Sequence, residues 1–290
     1  MSEPQAASRA PARDAGGAAP GLLLLAPALL TVVAFFLYPL GYSLAGAFRA
    51  ADGAWTLANF AKSFELYSRD IVFTVAIIGL STLLIALFSV AIGGYLTLGE
   101  NRTAVAILRW LYRWPLFIPF IVAGQLMRAF LARNGMLNNA LMAMDVLDPA
   151  DAQSFLDWRG IVIAFVWKQT PFVALLVAGA MATLDRSTIE AARNLGAGRL
   201  RILVEIVVPQ VRTTLVVGLV LSFVTMMSVL SVPLMINAQS PTMITVDMAF
   251  RINAYGDYGV ANALGFLSCA LTGAVAWIYL RHGIRERSRQ

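Results

Sequence analysis

The sequence predicts an all-α integral membrane protein with six transmembrane helices, and three observations carry that prediction. Of its 290 residues, 59% are hydrophobic and only 13% are charged, against roughly 25% charged in soluble domains. The apolar residues gather into charge-free runs long enough to cross a bilayer. The basic residues fall mainly in every second loop between those runs. With a mean hydropathy of +0.73, the chain lacks the polar side chains to cover a globular surface. That excludes a soluble enzyme or a DNA-binding domain. The net charge of +6 reads as membrane topology and not as a nucleic-acid surface. One cysteine (Cys269) and one histidine (His282) exclude an intrachain disulfide and a Cys/His metal cluster.

Residues 1–20, rich in Ala, Pro, Gly and Ser, read as a disordered tail. Residues 21–48 then run 28 positions without a charge. A secretory h-region is only about 7–15 residues, so this run is a retained first span. The second span is 71–99. The third is placed at 110–131, where only 114–127 is free of charge. Arg109, Arg113 and Arg128 border it and can snorkel to the headgroups, and Trp110, Tyr112 and Trp114 cluster as interfacial aromatics do. The fourth span, 160–184, is interrupted only by Lys168; the fifth is 213–246 and the sixth 258–280. The membrane domain is thus expected over 21–285.

The alternate loops differ in charge. Residues 1–20, 100–113, 185–212 and 281–290 together hold 14 Lys/Arg and seven Asp/Glu, whereas 49–70, 131–159 and 247–257 hold six and nine. The positive-inside rule places the first set, with both termini, in the cytoplasm. No internal repeat is evident. Within 131–159, Met136, Leu137, Leu141, Met144 and Leu147 form a short amphipathic pattern, followed by Asp148, Asp151 and Asp157.

Loop 185–212 is the most informative segment. Ser187 with Glu190 three residues later predicts a capping box and a helix from Thr188, with Ile189, Ala192 and Leu195 on one face. Gly196 is expected to stop that helix in the left-handed conformation. A second amphipathic helix is expected over 200–208, ending at Pro209 in the first turn of the next membrane helix.

Glu190-Ala191-Ala192 followed by Gly196, Ile206 and Val208-Pro209 resembles the EAA loop of binding-protein-dependent ABC importer permeases. Val208 stands where that pattern usually has leucine. The resemblance covers roughly 21–285, including six spans and this loop between the fourth and fifth. It implies the type I ABC importer transmembrane domain, of the maltose/polyamine permease kind, in a bacterial inner membrane. It also implies that Glu190, Ala191, Ala192, Gly196, Ile206 and Pro209 belong to a coupling element that docks on a cytoplasmic ATPase dimer. A second permease subunit or a second copy, and an extracytoplasmic solute-binding protein, are the further partners implied; no cofactor is. The sequence has no GxxxxGK[ST] phosphate loop, so the motor must be another polypeptide. It has no GxSxG or HExxH either, which leaves no enzyme chemistry to assign.

Lys168, within Trp167-Lys168-Gln169-Thr170-Pro171-Phe172, lies deep in the fourth span, where an ionisable residue is by default a functional candidate. It is a pathway candidate together with Gln169, Arg128, Ser222 and Thr225. The structural alternatives are that Lys168 snorkels or pairs with a carbonyl of a partner subunit, that Arg128 snorkels, and that Gly218, Ser222 and Thr225 serve helix packing. Intramembrane aspartates are not expected. Pro27, Pro39, Pro115, Pro119 and Pro233 are expected kinks. Segments 167–172 and 136–141 resemble sugar-importer permeases, whereas Asn194-Leu195-Gly196-Ala197 resembles the polyamine/phosphonate/iron-type branch. The solute is read as a sugar or polyol, with the polyamine-type branch as alternative. A stand-alone secondary transporter is the competing class.

Overall fold

A computed structural model describes residues 18–50, 52–237 and 239–287. Residues 1–17 of the expected tail, and the side chain of His282, lie outside that description. Residues 18–20 already belong to the first helix.

Thirteen helices follow in order among the described residues. They are α1 (Ala18–Val32), α2 (Tyr38–Ala47), α3 (Ala58–Leu98), α4 (Arg102–Leu111), α5 (Phe120–Leu131), α6 (Met136–Ala143), α7 (Trp158–Ala182), α8 (Arg186–Asn194), α9 (Arg199–Ile202), α10 (Val208–Ser228), α11 (Ser231–Ile236), α12 (Ile244–Tyr255) and α13 (Tyr258–Arg287). Five continuous helical segments are long and apolar enough to span a membrane, and a sixth is a bent pair.

Two joints in this order are π-turns. One covers Val33–Leu37 between α1 and α2, the other Leu203–Val207 between α9 and α10. Each ends two residues before a proline, Pro39 or Pro209. Proline has no N–H to give to the carbonyl four residues back, and its ring crowds that carbonyl. Widening the preceding turn accommodates both effects without stopping the helix. The separate second helix expected over 200–208 is therefore an extension of the fifth span at the end that carries loop 185–198, running without a break from Arg199 to Ser228.

The third span departs most from expectation. Instead of one helix over 110–131, α4, a short 3-10 turn at Trp114–Phe117 and α5 form a chain bent by 109°. Pro115 and Pro119 remove two amide donors in succession, and Arg109 and Arg113 keep α4 from entering the hydrocarbon. The twelve residues of α5 rise only about 18 Å, well short of a hydrocarbon layer of roughly 30 Å. The fifth charge-free run is likewise divided. It contains α10, the short α11, a loop, and the first residues of α12.

At the centre of the bundle, α7 is the most enclosed span. Phe165, Val173, Val177 and Met181 of α7 join Ile78 and Ile85 of α3, and Val211 and Met226 of α10, in one core. On α3, Ser81, Ile85, Ser89 and Gly93 recur every four residues and are all buried, and the small members Ser81, Ser89 and Gly93 let α7 approach closely. The 41 residues of α3 extend about 60 Å, twice the hydrocarbon thickness. Its first turns therefore project beyond the membrane at the end opposite loop 185–198. There, Phe48, Phe60 and Phe266 pack edge to face, and Lys62 pairs with Asp257 at 2.7 Å. Two acidic residues expected in solvated loops are instead enclosed at this end: Asp70 is 3% exposed and Asp247 7%.

Candidate functional site

The helix of loop 185–212 is built by both of its caps. Asp185, and not Ser187, is the N-cap: its carboxylate accepts the Ser187 amide at 2.9 Å and the Ser187 hydroxyl at 2.6 Å. These bonds favour the ionised form and hold the Asp185 carboxyl below its usual range. The helix consequently starts at Arg186, two residues before the expected Thr188. At the other end Gly196 has φ +79°. Its amide is donated to the Arg193 carbonyl at 2.9 Å, and the Ala197 amide to the Ala192 carbonyl at 3.0 Å. This paired pattern is a Schellman motif, which needs a residue at ease in left-handed backbone.

The two faces of α8 differ sharply. Ile189 is buried, and Ala192, Ala197 and Ile206 pack against the main core. Glu190, Ala191 and Asn194 are exposed, and Leu195 is 88% exposed. Leu195 was expected to share a face with Ile189 and Ala192. As the C-cap residue it has left the helical path, so it points away. Leu200 in the following helix is exposed as well.

This face is tied to the membrane bundle. Arg193 donates to the Leu98 carbonyl at 3.3 Å, one of the carbonyls left open at the C-terminus of α3. Arg199 forms an ion pair with Glu100 in the next corner. Leu203 sits over Gly94, where an added Cβ would lie 2.7 Å from both of its methyls. α8 and the chain that follows it are thereby tied to the end of α3 and to the start of α10. Pro209 sits at the second position of α10. Between α4, α7 and α8 lies a cleft of about 650 Å³ lined by Glu190 and by Arg109, Arg113, Arg186 and Arg193.

The pathway candidates are distributed over two settings. Lys168 is 7% exposed and donates to the Pro115 carbonyl at 2.6 Å and the Leu116 carbonyl at 3.3 Å. Its ammonium also stands 5.2 Å from the centre of the Phe120 ring. The carbonyls it holds belong to the same chain, at the break in the third span, where prolines leave backbone groups open. Gln169 reaches the Ser222 carbonyl at 3.5 Å, and Ser89 the Thr170 carbonyl at 3.3 Å. Gln169 and Ser222 are thus brought together where α3, α7 and α10 cross, whereas Lys168 faces the break in the third span. Arg128 and Thr225 are not part of that crossing. Arg128 donates to the Met235 carbonyl at 2.7 Å, closing the end of α11, and Thr225 bonds back to Leu221 in its own helix. The contributions of Asp185, Arg193 and Arg199 were not read from the sequence. Asp185 was legible as an Asx N-cap; the two arginine tethers join positions about 95 residues apart and had no local signal.

Comparison with known proteins agrees with this architecture. The chain is 26% identical over 291 residues to the sulfoquinovosyl glycerol transport system permease protein SmoG of Agrobacterium fabrum, covering 92% of this chain and 91% of that one. It is 26% identical over 292 residues to the putative 2-aminoethylphosphonate transport system permease protein PhnU of Salmonella paratyphi A, covering 92% and 94%. Its fold is similar to a chain in the crystal structure of a bacterial alginate ABC transporter in complex with an alginate pentasaccharide-bound periplasmic protein. The TM-score there is 0.75 at 20% identity, over 90% of this chain and 92% of that one. Residues 72–281 match the family model of binding-protein-dependent transport system inner membrane components. The chain belongs to that family: it is an ABC importer permease, a transport component whose ATPase is a separate subunit.

Proposed function

We propose that the exposed face of α8 receives the ATPase and that movement of this helix opens and closes a solute pathway bordered by α5, α7 and α10. The observation that carries the reading is the pairing of opposites in one nine-residue helix. Glu190, Ala191 and Leu195 are free to meet a partner, while Ile189, Arg193 and the adjoining Arg199 and Leu203 lock the helix to α3 and α10. Small side chains at Ala191 and Ala192 permit close approach, and the Schellman cap at Gly196 fixes the direction of the exit. In this reading, ATP-driven closure of an ATPase dimer displaces α8 and turns the pathway outward, and hydrolysis resets it.

The excess of Lys/Arg in 1–20, 100–113, 185–212 and 281–290 supports an orientation with both termini and α8 in the cytoplasm. The opposite end then meets an extracytoplasmic solute-binding protein. A second permease subunit, or a second copy, faces the pathway. Lys168 acts as a positioning residue that holds the broken third span against α7, and Gln169 with Ser222 joins α7 to α10; Thr225 and Arg128 border the pathway itself. The solute is a small polar one. The sulfoquinovosyl glycerol permease relative and segment 167–172 favour a sugar or polyol. The aminophosphonate permease relative and Asn194-Leu195-Gly196-Ala197 favour the polyamine/phosphonate branch as second reading.

The test is reconstitution of the chain with its ATPase and solute-binding protein in proteoliposomes. ATP-dependent uptake that is lost when Glu190 and Gly196 are both altered is the expected result. Uptake that survives ATP removal and collapses with the proton gradient would identify a secondary transporter and end this reading.

A further inference from the structure

The end of the bundle opposite α8 holds a second cavity, of about 530 Å³, between α3, the α10–α11 junction and α12. Its polar lining is Tyr67, Asp70, Ser240, Thr242, Asp247 and Asn253. Leu66, Leu230 and Phe250 supply apolar wall. The two carboxylates have different duties. Asp70 accepts the Thr242 amide at 2.6 Å and the Ser240 hydroxyl at 3.3 Å, and so pins the loop that leads into α12. Asp247 lies on α12, which is not one of the spans. It is 7% exposed, and its Oδ2 is enclosed without a hydrogen-bond partner among the described residues.

Nearby cations are committed elsewhere. Arg251, one turn along α12, donates to the Tyr67 hydroxyl and lies 3.7 Å from Asp257. Lys62 holds the same Asp257 at 2.7 Å. Asp70, Asp247, Asp257, Lys62 and Arg251 therefore form a group one positive charge short of balance, with the deficit facing the cavity at Asp247. A buried, unbalanced carboxylate is unfavourable unless it takes up a proton or a cation. Among the described residues no three metal-ligating side chains converge, and most of this wall is hydrocarbon. An ammonium group on a short carbon skeleton satisfies both features. It offers three donors to Asp247, Ser240 and Asn253, and its carbon chain covers Leu66, Leu230 and Phe250.

We propose that this cavity binds a protonated primary amine of a small organic molecule, with Asp247 as counter-ion and Asp70 as the second negative charge. The permease reading enters only in making this end the outward one. The site adds a requirement for an amine and is compatible with a hydroxylated or a hydrocarbon skeleton.

Binding is measured on the transporter, chain with ATPase in lipid nanodiscs at pH 8 and without ATP, by saturation-transfer NMR with n-butylammonium as probe. The expected result is a saturable signal that weakens by about tenfold or more in Asp247→Asn, the usual scale for losing one charge-assisted contact. Asp247→Asn removes an unbalanced charge and keeps the shape, so it is expected to fold. Should it not, the pH dependence of the parent protein serves instead. Burial, then the neighbouring Asp70, pushes the Asp247 carboxyl up to about 7, with Arg251 opposing. Tyr67 and Asp70 on α3 and Arg251 and Tyr255 on α12 are the other groups facing this region. Binding should accordingly weaken as the pH falls from 8 through about 7. The proposal is overturned if Asp247→Asn binds undiminished, if n-butanol gives the same signal, if sodium displaces the probe at equal concentration, or if binding is unchanged between acid and alkaline pH. None of these readouts uses transport, so failure of the importer reading would appear separately, in the uptake assay.

Discussion

Replacing Lys168 by methionine keeps the length of the side chain and removes its three donors. In the parent protein the ammonium donates to the Pro115 and Leu116 carbonyls at 2.6 and 3.3 Å. The Pro115 oxygen keeps a further bond from the Ile118 amide at 3.3 Å, so the loss is less than two whole bonds. Hydrogen bonds to a charged group contribute about 1.5–3 kcal/mol net, and an orphaned buried carbonyl costs about 1–3 kcal/mol. Relief from burying the ammonium offsets part of this, which leaves a net loss of about 2–3 kcal/mol. For a chain of this size that lowers Tm by roughly 3–5 °C. The assay is thermal unfolding of the assembled transporter in nanodiscs, paired with solute uptake scored per folded molecule. Tm should fall while solute selectivity stays as in the parent. The reasoning is refuted if Tm is unchanged and selectivity shifts, because Lys168 would then be facing solute and not bracing the third span.

Three further outcomes follow from the same geometry. Gly196→Ala forces a Cβ into left-handed backbone at φ +79°, a cost of about 1 kcal/mol; folding should persist while ATPase stimulation by solute-loaded binding protein falls several-fold, read by phosphate release. Changing both Leu195 and Leu200 to serine touches no buried contact, so Tm should hold within a degree or two while the ATPase subunit no longer co-purifies. The Asp247 carboxyl, raised from 3.8 to about 7, keeps its proton in the native state where the unfolded chain has lost it. Native stability should therefore decline as pH rises from about 4 through 7, and Asp247→Asn should abolish that slope and melt higher than the parent at pH 8.

Much of this protein was legible in order along the chain, because the signals are local. Hydrocarbon has no water to satisfy backbone groups, so a charge-free run of adequate length can only be a helix. Five of the six spans were readable for that reason. The stop at Gly196 was readable because few residues tolerate left-handed backbone. Prolines were harder to read. Pro39 and Pro209 each widened a turn and left the helix continuous, whereas Pro115 and Pro119, four residues apart and flanked by arginines, broke the third span through 109°.

The sequence by itself determined the class, five of the six spans and the position of the loop that carries α8, since hydropathy, charge and turn chemistry act over a few residues. Only the tertiary structure decided which side chains are engaged and which are free. Lys168 found its acceptors 52 and 53 residues upstream, and Leu195 was turned outward by the cap that follows it. Asp70 and Asp247, apparent loop residues at the edges of two apolar runs, were enclosed by the approach of α12 to α3. Each outcome depends on how helices distant in sequence cross. That is set by packing across the whole bundle, which no local pattern encodes.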